Sequence, residues 1–335
     1  MTAVEEVAMK IKKLLFKGLV PLLGIPLFFG LSIAGLAQIP PIKPPLIPLI
    51  SQIEVVFEIN LDELAKTLPE KLMLYRAAPD PIGIAQRQNL EHFFGTAAYF
   101  EVAEVSGGVF CADLSRLWAK APRPGDRIRT LDSKEIRAAA EKFLSEIKAP
   151  TPSEQLQIYT ATDTMEFMDN RGQRQVLPIG FSMTYRRLLG GCEVVGPGGK
   201  IKVFLDLNGQ VAGYLRVWRA LTPLREERLI GVYQAADNFK KDPLGNLLLA
   251  NVRKVRVIGL KVGYFELGMY ESQRYLQPIY VFQCVAYLEA NGQTWEVPYT
   301  RYMEALPQPP EPLWPTGPAY EPGTRPTTMP KPGED

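Results

Sequence analysis

His92 is the only histidine in this chain of 335 residues, and Cys111, Cys192 and Cys284 stand far apart. Zinc sites built from several histidines are therefore excluded, and no C-x-x-C pair replaces them. A Ser-His-Asp triad would have to use His92, which has Glu91, Phe93 and Phe94 for neighbours and no G-x-S-x-G elbow to serve. Gly196-Pro-Gly-Gly-Lys200 gathers glycines and a lysine as a phosphate loop does. Ile201 stands where the Mg-binding hydroxyl belongs, however, and the following residues read as a strand, so a tight turn is expected.

Carboxylates are the remaining chemical candidates. Asp163, Glu166 and Asp169, with Glu193 or Asp206, could supply the acid–base pair of a carboxylate-based hydrolase acting on an extracellular polymer. Asp163, Asp169 and Asn170 could reach calcium, but without EF-hand spacing. Solvated carboxylates occur at such positions in ordinary sheets, so no catalytic residue, cofactor or metal is assigned. Rings offer a different route to function. Tyr185, Tyr214, Trp218, Tyr264, Tyr280 and Trp295 are candidate partner-binding residues, because rigid aromatic faces bury area at low entropic cost. The same rings could instead pack beneath helices, the commoner fate of Tyr and Trp.

The elements that must position these groups follow from periodicity. Val203, Leu205 and Leu207 alternate with polar or outward residues, as do Val211, Leu215 and Val217 after Asn208-Gly209. Asn-Gly between two such runs predicts a hairpin closed by a type I′ turn. Asp132–Lys148 is the clearest helix: Asp132 and Glu135 form a capping box, and Ile136, Ala139, Ala140, Phe143, Leu144 and Ile147 make one apolar stripe. Glu226–Lys240 reads as a second amphipathic helix. Strands are expected at 53–60, 70–76, 96–105, 108–114, 155–167, 175–189, 252–267, 276–290 and 294–303. Asn-Gly-Gln recurs at 291–293, each copy preceded by a helix and long alternating strands, which suggests a repeat of about 85 residues.

Composition bounds the setting. Five of thirty prolines fall in residues 39–50 and ten in 306–335, the mark of a spacer and a disordered tail. Lys10, Lys12, Lys13 and Lys17 precede an uncharged run from Gly18 to Ala37 that ends in Gly35-Leu36-Ala37. A basic segment, an apolar segment and a small-x-small site together read as an export leader, either cleaved or retained as an anchor. Removing it takes four lysines and two glutamates from the 38 basic and 36 acidic residues, so the two signs then balance. Nucleic-acid binding normally needs a basic surface and is not expected. Any membrane contact is expected only through the N-terminal segment. Three cysteines allow at most one disulfide, and spacing selects no pair.

Asp132-Ser-Lys-Glu-Ile with Ala139-Ala140 and Phe143-Leu144, Gly196-Pro-Gly-Gly-Lys-Ile-Lys-Val, Asn208-Gly-Gln-Val-Ala-Gly and Tyr275-Leu-Gln-Pro-Ile-Tyr-Val-Phe give residues 130–305 a further meaning. Their order resembles the PepSY-type modules of bacterial envelope proteins and is similar to the YycI-like extracytoplasmic regulators. The resemblance implies non-catalytic modules and carries no catalytic residue with it. The expected fold is therefore α+β: tandem cystatin-like modules, each an amphipathic helix packed on a twisted antiparallel sheet. Their expected bounds are 53–118, 130–222 and 226–305, after a leader at 1–37 and a spacer at 38–52. The expected function is a non-catalytic, secreted or envelope-located binding or regulatory module. It would engage a peptide or protein through a sheet edge or an aromatic sheet face. The alternatives are the hydrolase above and a structural surface or assembly subunit.

Overall fold

The computed structural model describes residues 53–95, 98–117, 129–149, 155–168, 174–245, 251–290 and 293–313. The leader, the spacer, Asp169, Asn170 and the chain beyond 313 lie outside these. Among the described residues no helix is long and apolar enough to cross a membrane.

Four helices and fourteen strands make up the described chain. The helices are α1 (Leu61–Thr67), α2 (Ile84–Phe94), α3 (Ser133–Glu146) and α4 (Val232–Lys241). The strands in chain order are β1 (Glu54–Phe57), β2 (Lys71–Ala78), β3 (Tyr99–Ala103), β4 (Gly108–Ala112), β5 (Gln155–Met168), β6 (Arg174–Leu189) and β7 (Cys192–Val195). They continue as β8 (Lys200–Leu205), β9 (Val211–Val217), β10 (Ala220–Arg228), β11 (Val252–Phe265), β12 (Tyr275–Leu276), β13 (Pro278–Ala290) and β14 (Gln293–Glu304).

Eleven strands form one mixed sheet with the path β14-β13-β11-β7-β6-β8-β9-β4-β3; β1 joins β11 and β5 joins β6. β10, β2 and β12 form a second, small sheet. This overturns the expectation of tandem helix-on-sheet modules. Strand makes up 50% of the structure against 19% helix, and the sheet runs unbroken across the expected module boundaries. The physical reason is backbone pairing between distant segments. β1 lies parallel to β11 with Glu54 opposite Lys254, β4 runs antiparallel to β9, and β2 leaves for the small sheet. Strands near the N-terminus thus complete layers begun by strands much later in the chain.

Local signals act as expected within this frame. Asp132 accepts from the backbone N–H groups of Lys134 and Glu135, while the Glu135 carboxylate takes the Asp132 N–H. Ile136, Ala140 and Phe143 of α3 bury against Phe181, Met183, Ile201 and Val203 of the sheet. Val232, Ala235 and Phe239 of α4 bury against Val255, Val257, Phe282 and Ala286, with Phe239 stacked 4.6 Å from Phe282. Both helices cover the same face of the large sheet, called here the helix face. The expected helix over 226–240 begins later, at Val232, because Ala220–Arg228 pairs with β2 as β10. Of the expected tail 306–335, only residues 306–313 are described. Leu306 and Leu313 are buried, and Glu311 binds the Arg274 guanidinium at 2.8 Å.

The Asn208-Gly209 hairpin forms without a type I′ turn. Gly209 has φ +80°, but Asn208 is not left-handed. Asp206 accepts from the N–H groups of Asn208 and Gln210, which favours a type I turn followed by a left-handed glycine. Positive φ at both central residues occurs instead at Gly190 (+55°) and Gly191 (+79°), which close the tight turn between β6 and β7.

Candidate functional site at the fork of the large sheet

After that glycine turn the chain does something the sequence pattern does not announce. β7 pairs with β6 only through Leu188–Glu193 and Leu189–Cys192, then peels away to run parallel to β11. The chain returns at Lys200, opposite Arg186, and continues along β6 as β8. The sheet forks here, and the Gly196-Pro-Gly-Gly199 turn spans the fork. Two polar clusters sit at this point, one on each face.

On the helix face, Arg187, Arg219 and Glu266 are sealed from solvent, each at 1% exposure or less. Glu266 lies between the two guanidiniums, 3.5 Å from Arg187 Nη1 and 3.3 Å from Arg219 Nη1. Arg219 also donates to the carbonyls of Leu267, Gly268 and Glu271. Arg187 donates to the Arg219 carbonyl at 2.8 Å and lies 4.1 Å over the Trp218 ring. Burial pulls the Arg219 pKa down against the pull of Glu266 in the opposite direction. The glycines are required by this packing. A Cβ on Gly198 would come within 2.3 Å of the Leu267 carbonyl oxygen and 2.7 Å of Glu266 Cγ. We expect Gly198→Ala to lower stability by roughly 1–3 kcal/mol, read as a lower urea midpoint. No change would mean the turn can shift off Glu266. This triad is closed to ligands and acts as a structural lock.

Among the described residues no helix packs on the opposite face, called the open face, yet its cluster is largely buried: the Arg186, Glu193, Lys202 and Asp163 side chains are 19%, 14%, 9% and 14% exposed. Arg186, Lys200 and Lys202 share it with Ser182 and Thr184, as cross-strand register dictates. Glu193 accepts from Lys261 Nζ and from the Tyr159 hydroxyl at 3.1 Å, and forms an ion pair with Arg186, whose Nε lies 3.4 Å away without a hydrogen bond. Asp163 receives Lys202 Nζ at 3.3 Å and the Ser182 hydroxyl at 3.1 Å. Among the described residues the Lys200 side chain has neither a hydrogen bond nor an ion pair. Burial, with Arg186 and Lys202 adding repulsion, pulls its pKa down to about 8. Burial first and Glu193 second push the Tyr159 hydroxyl up to about 12. Tyr302 is raised by burial, and Arg186 and Glu193 both act on it, which places its ring at the same cluster.

The candidates read from sequence separate clearly. Asp163 and Glu193 share the open face but sit opposite Gly180 and Leu188 of β6, about 26 Å apart along the strand at ~3.3 Å per residue. Each is bound to a cation, so they do not form a carboxylate pair. Asp206 caps its turn, and the Glu166 side chain lies outside the described residues. Among the described residues no group of His, Cys, Asp and Glu could hold a metal. His92 is exposed in the last turn of α2. The three cysteines are free thiols; burial pushes Cys111 and Cys284 up to about 12, which makes them poor nucleophiles.

The proposed aromatic face is corrected as well. Tyr185, Tyr214, Trp218, Tyr264 and Tyr280 are buried, and Tyr280 donates to the Ile230 carbonyl inside the core. Of the six, Trp295 alone is exposed, at 56%. Sequence reasoning missed Lys200 as an unpaired charge, and with it Arg186, Lys202 and Lys261. Its glycine-flanked position was noticed, but only the fork sets it between two other cations.

No family model and no curated protein matches this chain. A crystal structure of an uncharacterized protein from Eubacterium rectale is similar in outline. It is 9% identical, with a TM-score of 0.41, over 71% of this chain and 85% of that one. A likeness of that size carries neither fold nor function across.

Proposed function

We propose that this chain is an exported, non-catalytic module that binds a partner protein by pairing with an extended segment of it along β5. The observation that carries the reading is the outer edge of β5. The strand is fourteen residues long, and among the described residues nothing pairs with its far side. A row of free N–H and C=O groups is a template for strand addition, with sequence-tolerant affinity from the backbone.

Other edges of the sheet are short or blunted. β1 and β3 have four and five residues. β14 carries Pro298, which cannot donate, and Arg301 is tied to Asp242 at 2.9 Å. β5 contains no Pro, Gly, Lys or Arg, the residues that usually protect an edge. Ile158, Tyr159 and Met165 are exposed along it and offer apolar contacts on both of its faces. Export is supported by the basic segment Lys10–Lys17 ahead of the apolar run Gly18–Ala37.

The test compares the full-length chain with the Ile158→Lys, Thr162→Lys double variant. Stability is expected to change by no more than about 1 kcal/mol, since both positions are exposed. Crosslinked capture from an envelope extract should fall at least tenfold. Hydrogen exchange on the captured complex should slow in β5 of the unmodified chain. Unchanged capture, or protection at β14 and not β5, would refute the reading. Sedimentation as a dimer that the two lysines dissociate would assign the edge to self-pairing and also overturn it.

A further inference from the structure

The open face at the fork holds four cations, Arg186, Lys200, Lys202 and Lys261, against two carboxylates, Asp163 and Glu193. Three of the four have counter-charges: Arg186 and Lys261 on Glu193, and Lys202 on Asp163. Among the described residues Lys200 has none, although it lies directly opposite Arg186 and two residues from Lys202 on the same face. Like charges placed across a ladder destabilise it. A partly buried ammonium with no partner adds a desolvation penalty. The backbone keeps this arrangement rigid, because β8 is locked between β6 and β9 over its whole length. The Lys200 ammonium is not sealed: it reaches solvent, unlike the atoms of the triad on the helix face.

We propose that the open face at the fork is a binding site for a doubly charged oxyanion, a phosphate group, seated on Lys200 between Arg186 and Lys202. The excess of two positive charges matches a phosphate dianion better than a carboxylate. Thr184 lies opposite Lys202 on β6 and shares this face. Arg186 is oriented by the Val194 carbonyl at 3.1 Å as well as by Glu193, so it is preorganised before any anion arrives. The lowered proton affinity of Lys200 is the companion sign. An ammonium squeezed by two cations recovers its proton when an anion joins it. The site does not require strand addition at β5, although Tyr159 and Asp163 of β5 belong to the cluster; Lys200→Met reads the anion site alone.

Calorimetry and thermal unfolding on the full-length chain test it, with inorganic phosphate, glycerol 3-phosphate and acetate, each against chloride at equal ionic strength. Phosphate at about a hundredfold excess over its Kd should raise the unfolding midpoint on the order of 5 °C, and acetate should do far less. Lys200→Met should weaken phosphate at least tenfold. Lys142→Met, which removes one exposed positive charge on α3, should leave it within twofold. Tighter binding of glycerol 3-phosphate assigns a phosphomonoester ligand, and equal or weaker binding assigns free phosphate; both support the site. Equal responses to phosphate and acetate, or an unchanged response in Lys200→Met, would overturn it. The Met variant is expected to fold, which circular dichroism checks first.

Discussion

Glu266→Gln is expected to cost this protein roughly 3–5 kcal/mol, the typical penalty for leaving a buried charge without its partner. The carboxylate is fully buried between two guanidiniums that are themselves buried. The amide keeps the shape and one acceptor but loses the only negative charge in the triad. Arg219 retains three backbone carbonyls, so much of the damage should fall on Arg187. Since a domain holds about 5–15 kcal/mol in all, the variant should unfold at a much lower urea midpoint with little change in slope. A replacement of all three residues by Met and Leu should recover most of the loss, because apolar packing can substitute for a buried ion cluster. A loss below about 1 kcal/mol for Glu266→Gln would show that the carbonyls alone satisfy the two arginines, and the fork would need another explanation.

The second large effect has the opposite sign. Lys200→Met should stabilise the unliganded chain near pH 7, by up to about 3 kcal/mol. That is the free-energy equivalent of a pKa moved from an ordinary lysine value to about 8. The direction follows from proton counting. Between about pH 8 and the usual lysine range the unfolded chain holds a proton that folded Lys200 has released, so stability rises with pH across that window. Below about pH 8 both states are protonated and the penalty is present in full. Arg186, Lys202, Lys261, Asp163 and Glu193 face the same cluster. Tyr159 and Tyr302 also face the cluster, and burial holds both phenols protonated in the folded state. They act against folding above about pH 10, so the curve should turn over there. Unfolding measured from pH 7 to 11 should give a rise and then a fall for the unmodified chain, and only the fall for Lys200→Met. A rise that survives the substitution would place the titrating group elsewhere.

These two positions illustrate how far short-range signals reach. The helix over 133–146 was legible because its cap, its apolar stripe and its end all lie within one stretch of chain. The long strands β5, β6, β11 and β13 were legible for the same reason, since alternation is a property of neighbours. Glu226–Arg228 was misread as helix because its strand state depends on β2, about 150 residues earlier. Gly196–Lys200 was correctly read as a turn, yet nothing in those residues reveals Glu266 beneath the glycines or Arg186 beside the lysine. The six aromatic candidates separate for the same reason: five are buried and Trp295 is exposed, and only neighbours supplied by other strands decide between a core and a surface place.

The amino-acid sequence by itself determined the capped helix over 133–146, the long alternating strands, the turn at Gly196–Gly199, and that no multi-histidine metal centre is available. Tertiary structure alone decided that these pieces join into one forked sheet and that, among the described residues, β5 lies at an open edge and Lys200 stands unpaired between two cations. The division has a simple cause. Capping and periodicity are set by residues within a turn or two, whereas strand neighbours and buried charge partners are chosen by contacts such as Glu54 with Lys254 and Arg187 with Glu266, which no local pattern encodes.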